Sequence, residues 1–210
     1  MARDENPPFS LGSTWHNGGT IDANNLQDTH LEGQEWVFDD VDLSSSSGAK
    51  PTRTPFKKRG CIVRNASGIA ILPNRAVTWQ ATAGNYGKRV DGYCDLTNEK
   101  VAGIVDDFLP TAGCPNNDMC WLIVEGPVNV LTDLANGVNN NIAIGDLIGA
   151  LTAVTSQATT AGRMGLLGNT SGATVPLFES ANNVLGRALS ARTTNQTNTA
   201  TLVYVNGGRI

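Results

Sequence analysis

The sequence predicts an all-β protein whose body is a small barrel, and three observations lead to that prediction. Short runs rich in β-branched residues recur roughly every 10 to 20 residues after Gly60, with Gly, Asn and Pro between them. The 210-residue chain holds 23 glycines and only 16% charged residues, a composition that favours many turns. No helical period longer than about two turns interrupts these runs. Short strands at such spacing indicate a sandwich or a barrel.

The N-terminal part of the chain differs from the rest in charge. Its first 49 residues hold nine carboxylates against one base, and five bases then follow by residue 59. After Gly60 the charges are nearly balanced, with ten acids and nine bases. No strand or helix period is sustained before about residue 49. We therefore predict an extended, irregular, acidic arm with a basic hinge over residues 1–59, and a barrel-like body over residues 60–210.

Aromatic side chains recur along the predicted arm, whereas a purely flexible linker seldom carries them. They have two interpretations: the rings fold back onto the core of the body, or they anchor the arm in neighbouring subunits and become ordered upon assembly. On the second interpretation, the bases of the hinge would pair with an acidic partner surface. The candidate partner-binding residues are Trp15, Trp36, Phe38, Lys57, Lys58 and Arg59.

The clearest strand of the body covers residues 120–131 and is interrupted by Gly126 and Pro127. Proline cannot donate a hydrogen bond to a neighbouring strand, so Pro127 has to lie at a bulge, a bend or an edge. We therefore expect this strand to turn at that point and to serve two parts of one sheet system.

Composition also argues against several classes of function. A net charge of −4 does not provide the basic surface that nonspecific nucleic-acid binding needs. No run of about 18 apolar residues exists, so we predict no membrane span. The N-terminus lacks the apolar segment of a signal peptide, which predicts synthesis in a cytoplasm. The four cysteines are then interpreted as buried thiols, with neither a disulfide framework nor a metal site.

Few residues offer catalytic chemistry. The two histidines, His16 and His30, lie in the predicted arm, where a rigid catalytic arrangement is hard to maintain. Asp106 and Asp107 form a possible carboxylate pair, but adjacent residues on extended backbone point to opposite faces. We therefore predict no enzymatic activity, no cofactor and no metal.

Five segments of the body carry a resemblance to a known family. Each contains a short strand or a glycine-containing turn, and Gly103 and Gly186 lie inside two of the strands, where glycine permits a bulge or a close backbone approach. The segments are residues 101–107, 121–130, 142–148, 184–189 and 201–206. In their order and spacing they resemble the head decoration, or cement, proteins of tailed bacteriophages.

The resemblance implies a compact barrel-like or tulip-like fold and a structural function. Proteins of this family are usually trimers on the outer capsid of the virion, where an N-terminal arm reaches over adjacent major capsid proteins. The resemblance thus implies a capsid decoration protein that stabilises the phage head by bridging capsomers. The alternative is a receptor-binding or glycan-binding domain on a virion, in which Tyr86 and Tyr93 would stack on sugars.

Overall fold

The structure, a computed structural model, describes residues 6–15, 28–46, 48–94, 101–132, 142–150, 164–166, 184–192 and 199–206. Within these ranges the chain forms β-strands and one short 3-10 helix at Thr29–Leu31, which confirms the predicted all-β class. The strands are β1 (Glu35–Val41), β2 (Thr52–Asn65), β3 (Ala76–Trp79), β4 (Arg89–Tyr93), β5 (Val101–Val105), β6 (Met119–Thr132), β7 (Leu147–Ala150), β8 (Met164–Leu166), β9 (Val184–Ala188) and β10 (Thr199–Val205).

Strand pairing closes the sheet into two rings that share β6. In the first ring β2 pairs with β4, β4 with β3, β3 with β5, β5 with β6, and β6 again with β2. In the second ring β6 pairs with β10, β10 with β9, β9 with β7 and β7 with β8. The residue pair Thr132–Met164 joins β8 back to β6. The body is therefore barrel-like, as the sequence predicts.

Strand β6 connects the two rings because its halves pair with different strands. Its first half, through Glu125, pairs with β2, and its second half, from Gly126, pairs with β10. Gly126 has a φ of 99°, and a Cβ atom there would lie 2.5 Å from the carbonyl oxygen of Lys57. Pro127 follows directly and lies opposite Tyr204. The prediction that this strand serves two parts of one sheet system is confirmed.

Alternating side chains of β6 point into two different hydrophobic clusters. Cys120, Leu122 and Val124 belong to a cluster that draws residues from all five strands of the first ring. Trp121 and Ile123 point to the opposite side, into a cluster that continues into the second ring. All four cysteines are buried, as predicted.

Gly103 and Gly186, on β5 and β9, lie where neighbouring backbone comes very close. A Cβ atom at Gly186 would lie 1.9 Å from the carbonyl oxygen of Tyr204, and one at Gly103 would lie 2.7 Å from that of Ile123. Both distances are shorter than any side chain tolerates, so glycine permits the close pairing of these strands. This agrees with the close backbone approach expected at both positions.

The predicted boundary at residue 59 falls inside β2. Strand β2 runs continuously from Thr52 to Asn65, and β1 pairs with it antiparallel from Glu35 to Val41. Residues 35–41 and 52–59 of the expected irregular arm and hinge are therefore part of the sheet. The sequence hides this arrangement because the charged residues of β2 resemble a solvated hinge, although alternate positions on a strand face opposite sides.

Candidate functional site

The indole of Trp121 is the centre of an aromatic cluster built from the N-terminal part of the chain. Trp121 is fully buried, and the ring centroids of Phe9, Trp36 and Phe38 lie 5.2, 5.7 and 5.0 Å from its own. Trp36 and Phe38 meet it edge-on, at interplanar angles of 78° and 79°, a favourable geometry for aromatic pairs. The Trp121 Nε1–H donates to the carbonyl oxygen of Phe9 at 3.1 Å. The cluster therefore joins residues distant in sequence.

Trp15 lies beside this cluster and is tied to the body by its backbone. Its N–H donates to the carbonyl oxygen of Met119 at 2.9 Å, and the Met119 N–H donates back at 3.1 Å. The Trp15 indole donates to Asp28 Oδ2 at 3.0 Å, and its ring lies 6.0 Å from that of Phe9. All three candidate anchor rings are thus half-buried within their own chain. Of the two interpretations of these rings, the described contacts are those of the fold-back arrangement.

Glu32 forms a second attachment between the N-terminal part and the first ring. Its carboxylate is buried and accepts hydrogen bonds from Arg64 Nε and from Arg89 Nε, the latter at 2.9 Å. Directly after Glu32, the Gly33 N–H donates to the carbonyl oxygen of Ile62 at 2.8 Å. A buried carboxylate between two guanidinium groups is costly to separate from either partner. Glu32 therefore helps fix the entry into β1.

The three candidate bases of the hinge face different surroundings. Lys57 is 67% exposed and pairs with Asp39 at 2.9 Å on the outer surface. Arg59 is partly exposed and pairs with Glu125 at 2.8 Å. The side chain of Lys58 is 0% exposed, so its expected pairing with an outside acidic surface is incompatible with its position. The physical reason is strand alternation: Lys57 and Lys58 are neighbours on β2 and therefore point to opposite faces.

Lys58 belongs to a buried network of four charged side chains that sequence reasoning missed. Arg53 donates to Asp40 Oδ1 at 2.6 Å and to Asp107 Oδ2 at 2.6 Å, while Lys58 Nζ lies 3.5 and 3.6 Å from the Oδ1 atoms of the two aspartates. The Phe108 ring covers the site, with its centroid 4.8 Å from both Lys58 Nζ and the Arg53 guanidinium carbon. Two bases and two acids balance in charge. The only sequence signal was the period of two along β1 and β2.

The adjacent carboxylate, Asp106, points away from this network and holds the N-terminal segment. Its Oδ2 accepts from the Gly12 N–H at 2.6 Å and its Oδ1 from the Phe108 N–H at 3.1 Å. Burial raises the pKa of Asp106 to about 6, although both hydrogen bonds act in the opposite direction. The expectation that Asp106 and Asp107 serve different faces is confirmed.

The two tyrosines of the glycan-binding alternative differ in accessibility. Tyr86 is 43% exposed, and its ring lies 6.0 Å from that of Trp79 at an angle of 46°. The hydroxyl of Tyr93 accepts from the Leu72 N–H at 2.8 Å, and Arg75 covers its ring at 5.7 Å. The surface suited to stacking is thus Trp79 with Tyr86, while Tyr93 supports a neighbouring turn.

Within the described part of the chain, no group of three or more His, Cys, Asp or Glu side chains is arranged to hold a metal ion. His30 lies in the 3-10 helix, and His16 lies outside the described residues. Across those same described ranges, no helix has the length and apolar character needed to cross a membrane. Comparison of the chain with protein-family models, curated proteins and solved structures found no match.

Substitutions at two neighbouring β1 residues should change stability unequally, because only one of the two residues packs in the aromatic cluster. Phe38→Ala should lower the free energy of unfolding by about 2–3 kcal/mol, because it removes a ring packed on Trp121. Val37→Ala, on the same strand but 63% exposed, is the matched control and should change it by less than about 0.5 kcal/mol. Urea denaturation followed by tryptophan fluorescence measures both. Equal effects of the two substitutions would contradict the fold-back arrangement.

The raised pKa of Asp106 should make the stability of the protein depend on pH. Its pKa in the folded state, about 6, is above the ordinary 3.8, so the folded protein binds this proton more tightly than the unfolded chain does. The resulting stabilisation is complete below about pH 3.8 and is lost as the pH rises through about 6.

The unfolding free energy of the wild type should therefore rise relative to that of Asp106→Asn, by roughly 1–3 kcal/mol, as the pH falls from about 7 to about 4.5. Urea titrations of both proteins across this range measure the difference. Parallel pH profiles for the two proteins would show that Asp106 is not the group responsible.

Proposed function

We propose that this protein is a non-enzymatic capsid decoration protein that binds the outer surface of a phage head and stabilises it by bridging capsomers. The observation that carries the proposal is the ordered set of five body segments that resemble such proteins. These segments coincide with β5, β6, β7, β9 and β10 together with the turns beside them. The resemblance therefore concerns the framework of the double ring.

The arrangement of the polar groups supports a structural function. The buried carboxylates Asp40, Asp106 and Glu32 are occupied in holding strands and the N-terminal segment together. A protein that serves as a rigid clamp needs such internal attachments, because a load applied to one strand is then shared by the others. Many weak contacts repeated by capsid symmetry would give strong total attachment through avidity. On this proposal the protein binds the major capsid protein and assembles as a homotrimer.

The structure changes which residues are suitable for the capsid contact. Trp36 and Phe38 pack on Trp121, so a deletion of residues 2–49 would remove part of the sheet and would not test binding alone. Val37 and Lys57 lie on the outer face of β1 and β2, where they remain accessible. We therefore assign the capsid contact to this exposed face.

Binding to capsids tests the proposal directly. The purified chain should cosediment, at a fixed ratio per capsomer, with undecorated capsids of the phage whose genome encodes it. The double variant Val37→Asp/Lys57→Glu should bind at least about tenfold more weakly, which corresponds to a loss of about 1.4 kcal/mol of binding free energy. Ile144→Asp adds a charge at another exposed apolar residue, in the turn before β7, and serves as the matched control.

Two results would count against the proposal. One is the absence of cosedimentation for the wild-type chain at any concentration tested. The other is saturable glycan binding that is lost in Tyr86→Ala while capsids are not bound. The second result would favour the glycan-binding alternative, for which the partly exposed pair of Trp79 and Tyr86 is the supporting observation.

A further inference from the structure

The buried network around Lys58 places an amine beside a carboxyl carbon in a closed site. The Lys58 side chain is inaccessible to solvent, as are the side chains of Asp40 and Asp107. Among the described residues, neither Lys58 Nζ nor Asp107 Oδ1 has a hydrogen-bond partner, although the two atoms are only 3.6 Å apart. Phe108 closes one side with its ring. A buried ammonium and a buried carboxylate that meet without a hydrogen bond form an expensive ion pair.

The two aspartates of the network are not equivalent. Both oxygens of Asp40 are occupied: Oδ1 accepts from Arg53 Nε at 3.0 Å and Nη2 at 2.6 Å, and Oδ2 accepts from the Thr54 hydroxyl at 3.0 Å. Among the groups that the structure describes, donors reach one oxygen of Asp107 only: Oδ2 accepts from Arg53 Nη1 at 2.6 Å and from the Asn129 N–H at 3.2 Å. Asp40 is therefore held by donors on both of its oxygens, while Asp107 has one polarised oxygen and one oxygen that no described donor reaches.

This asymmetry is what amide formation at Asp107 requires. Attack of an amine on a carboxyl carbon places negative charge on one oxygen, and fixed donors aimed at that oxygen stabilise it. Arg53 and the Asn129 N–H supply those donors at Oδ2. The other oxygen, Oδ1, has to leave as water. No hydrogen bond from a described residue holds it in place. Positioning of the two reactive groups within one folded chain supplies the remaining advantage of proximity.

We propose that Lys58 and Asp107 form an intramolecular isopeptide bond after folding. The Lys58 ammonium passes one proton to the Asp107 carboxylate, and the neutral amine attacks Cγ. A new Nζ–Cγ bond forms and the Cγ–Oδ1 bond breaks. Asp40 accepts the second proton from nitrogen and delivers it to the departing oxygen, which leaves as water. Nothing is oxidised or reduced, and Asp40 ends in its starting state.

The product has a simpler charge arrangement than the starting network. The amide replaces one buried positive and one buried negative charge, and the Arg53–Asp40 ion pair remains balanced. The bond joins β2 to the turn that follows β5, and so closes a covalent loop across the first ring. Such a link restrains the unfolded chain and resists separation of the two strands. This inference does not depend on the proposed capsid function.

Intact-mass spectrometry of the full chain, measured under denaturing conditions, tests the proposal. The wild type should be lighter than its sequence by the mass of one water, and proteolysis should release a branched peptide that joins Lys58 to Asp107. Lys58→Met should have the full mass of its sequence. Lys57→Met, which removes the neighbouring exposed lysine, is the matched control and should still lose one water. Asp40→Asn should slow the loss of water in freshly refolded protein.

The outcome does not depend on whether the variants fold, because the wild type alone gives a decisive reading. A wild-type chain that keeps its full mass after prolonged incubation in the folded state would overturn the proposal. Loss of water that persists in Lys58→Met would also overturn it. A branched peptide that contains Asp40 in place of Asp107 would overturn the assigned roles of the two aspartates.

Discussion

The packing of N-terminal rings around Trp121 is the contact on which the rest of the structure depends. Trp121 lies on β6, the strand shared by both rings, and it points away from the interior of the first ring. Without a cover, this large apolar surface would face water. Phe9, Trp36 and Phe38 provide the cover, and β1 is held against β2 in the register that presents them. The acidic N-terminal part is therefore required to complete the core.

Buried ionic contacts also hold β1 in place, on the same strand face as its aromatic rings. Trp36 and Phe38 share a strand face with Asp40, which continues from the aromatic cluster into the network of Arg53 and Lys58. Buried charges are stable only when paired, so this network tolerates little change in the position of β1. Hydrophobic and ionic contacts therefore fix one strand in one register. The inferred link between Lys58 and Asp107 would fix β2 covalently to the turn after β5, which is the part of the network against which β1 packs.

The sequence was informative where local chemistry decides the structure. Pro127 lacks an N–H and Gly126 permits positive φ, so the division of β6 could be predicted from two residues. It was uninformative where distant residues decide. The Trp36 ring is partly buried because it packs on Trp121, which is distant in sequence, and no local pattern reveals that contact. Lys58 shows the same limit, because a lysine in a basic run is normally solvated and only the strand register buries it.

Strand β1 belongs to the folded body and not to a separate arm. Hydrogen exchange of the native protein, followed by mass spectrometry, tests this arrangement. The amides of Glu35–Val41 that pair with β2 should exchange as slowly as those of Met119–Thr132. Exchange of Glu35–Val41 at the rate of an unstructured peptide, while Met119–Thr132 stays protected, would contradict it.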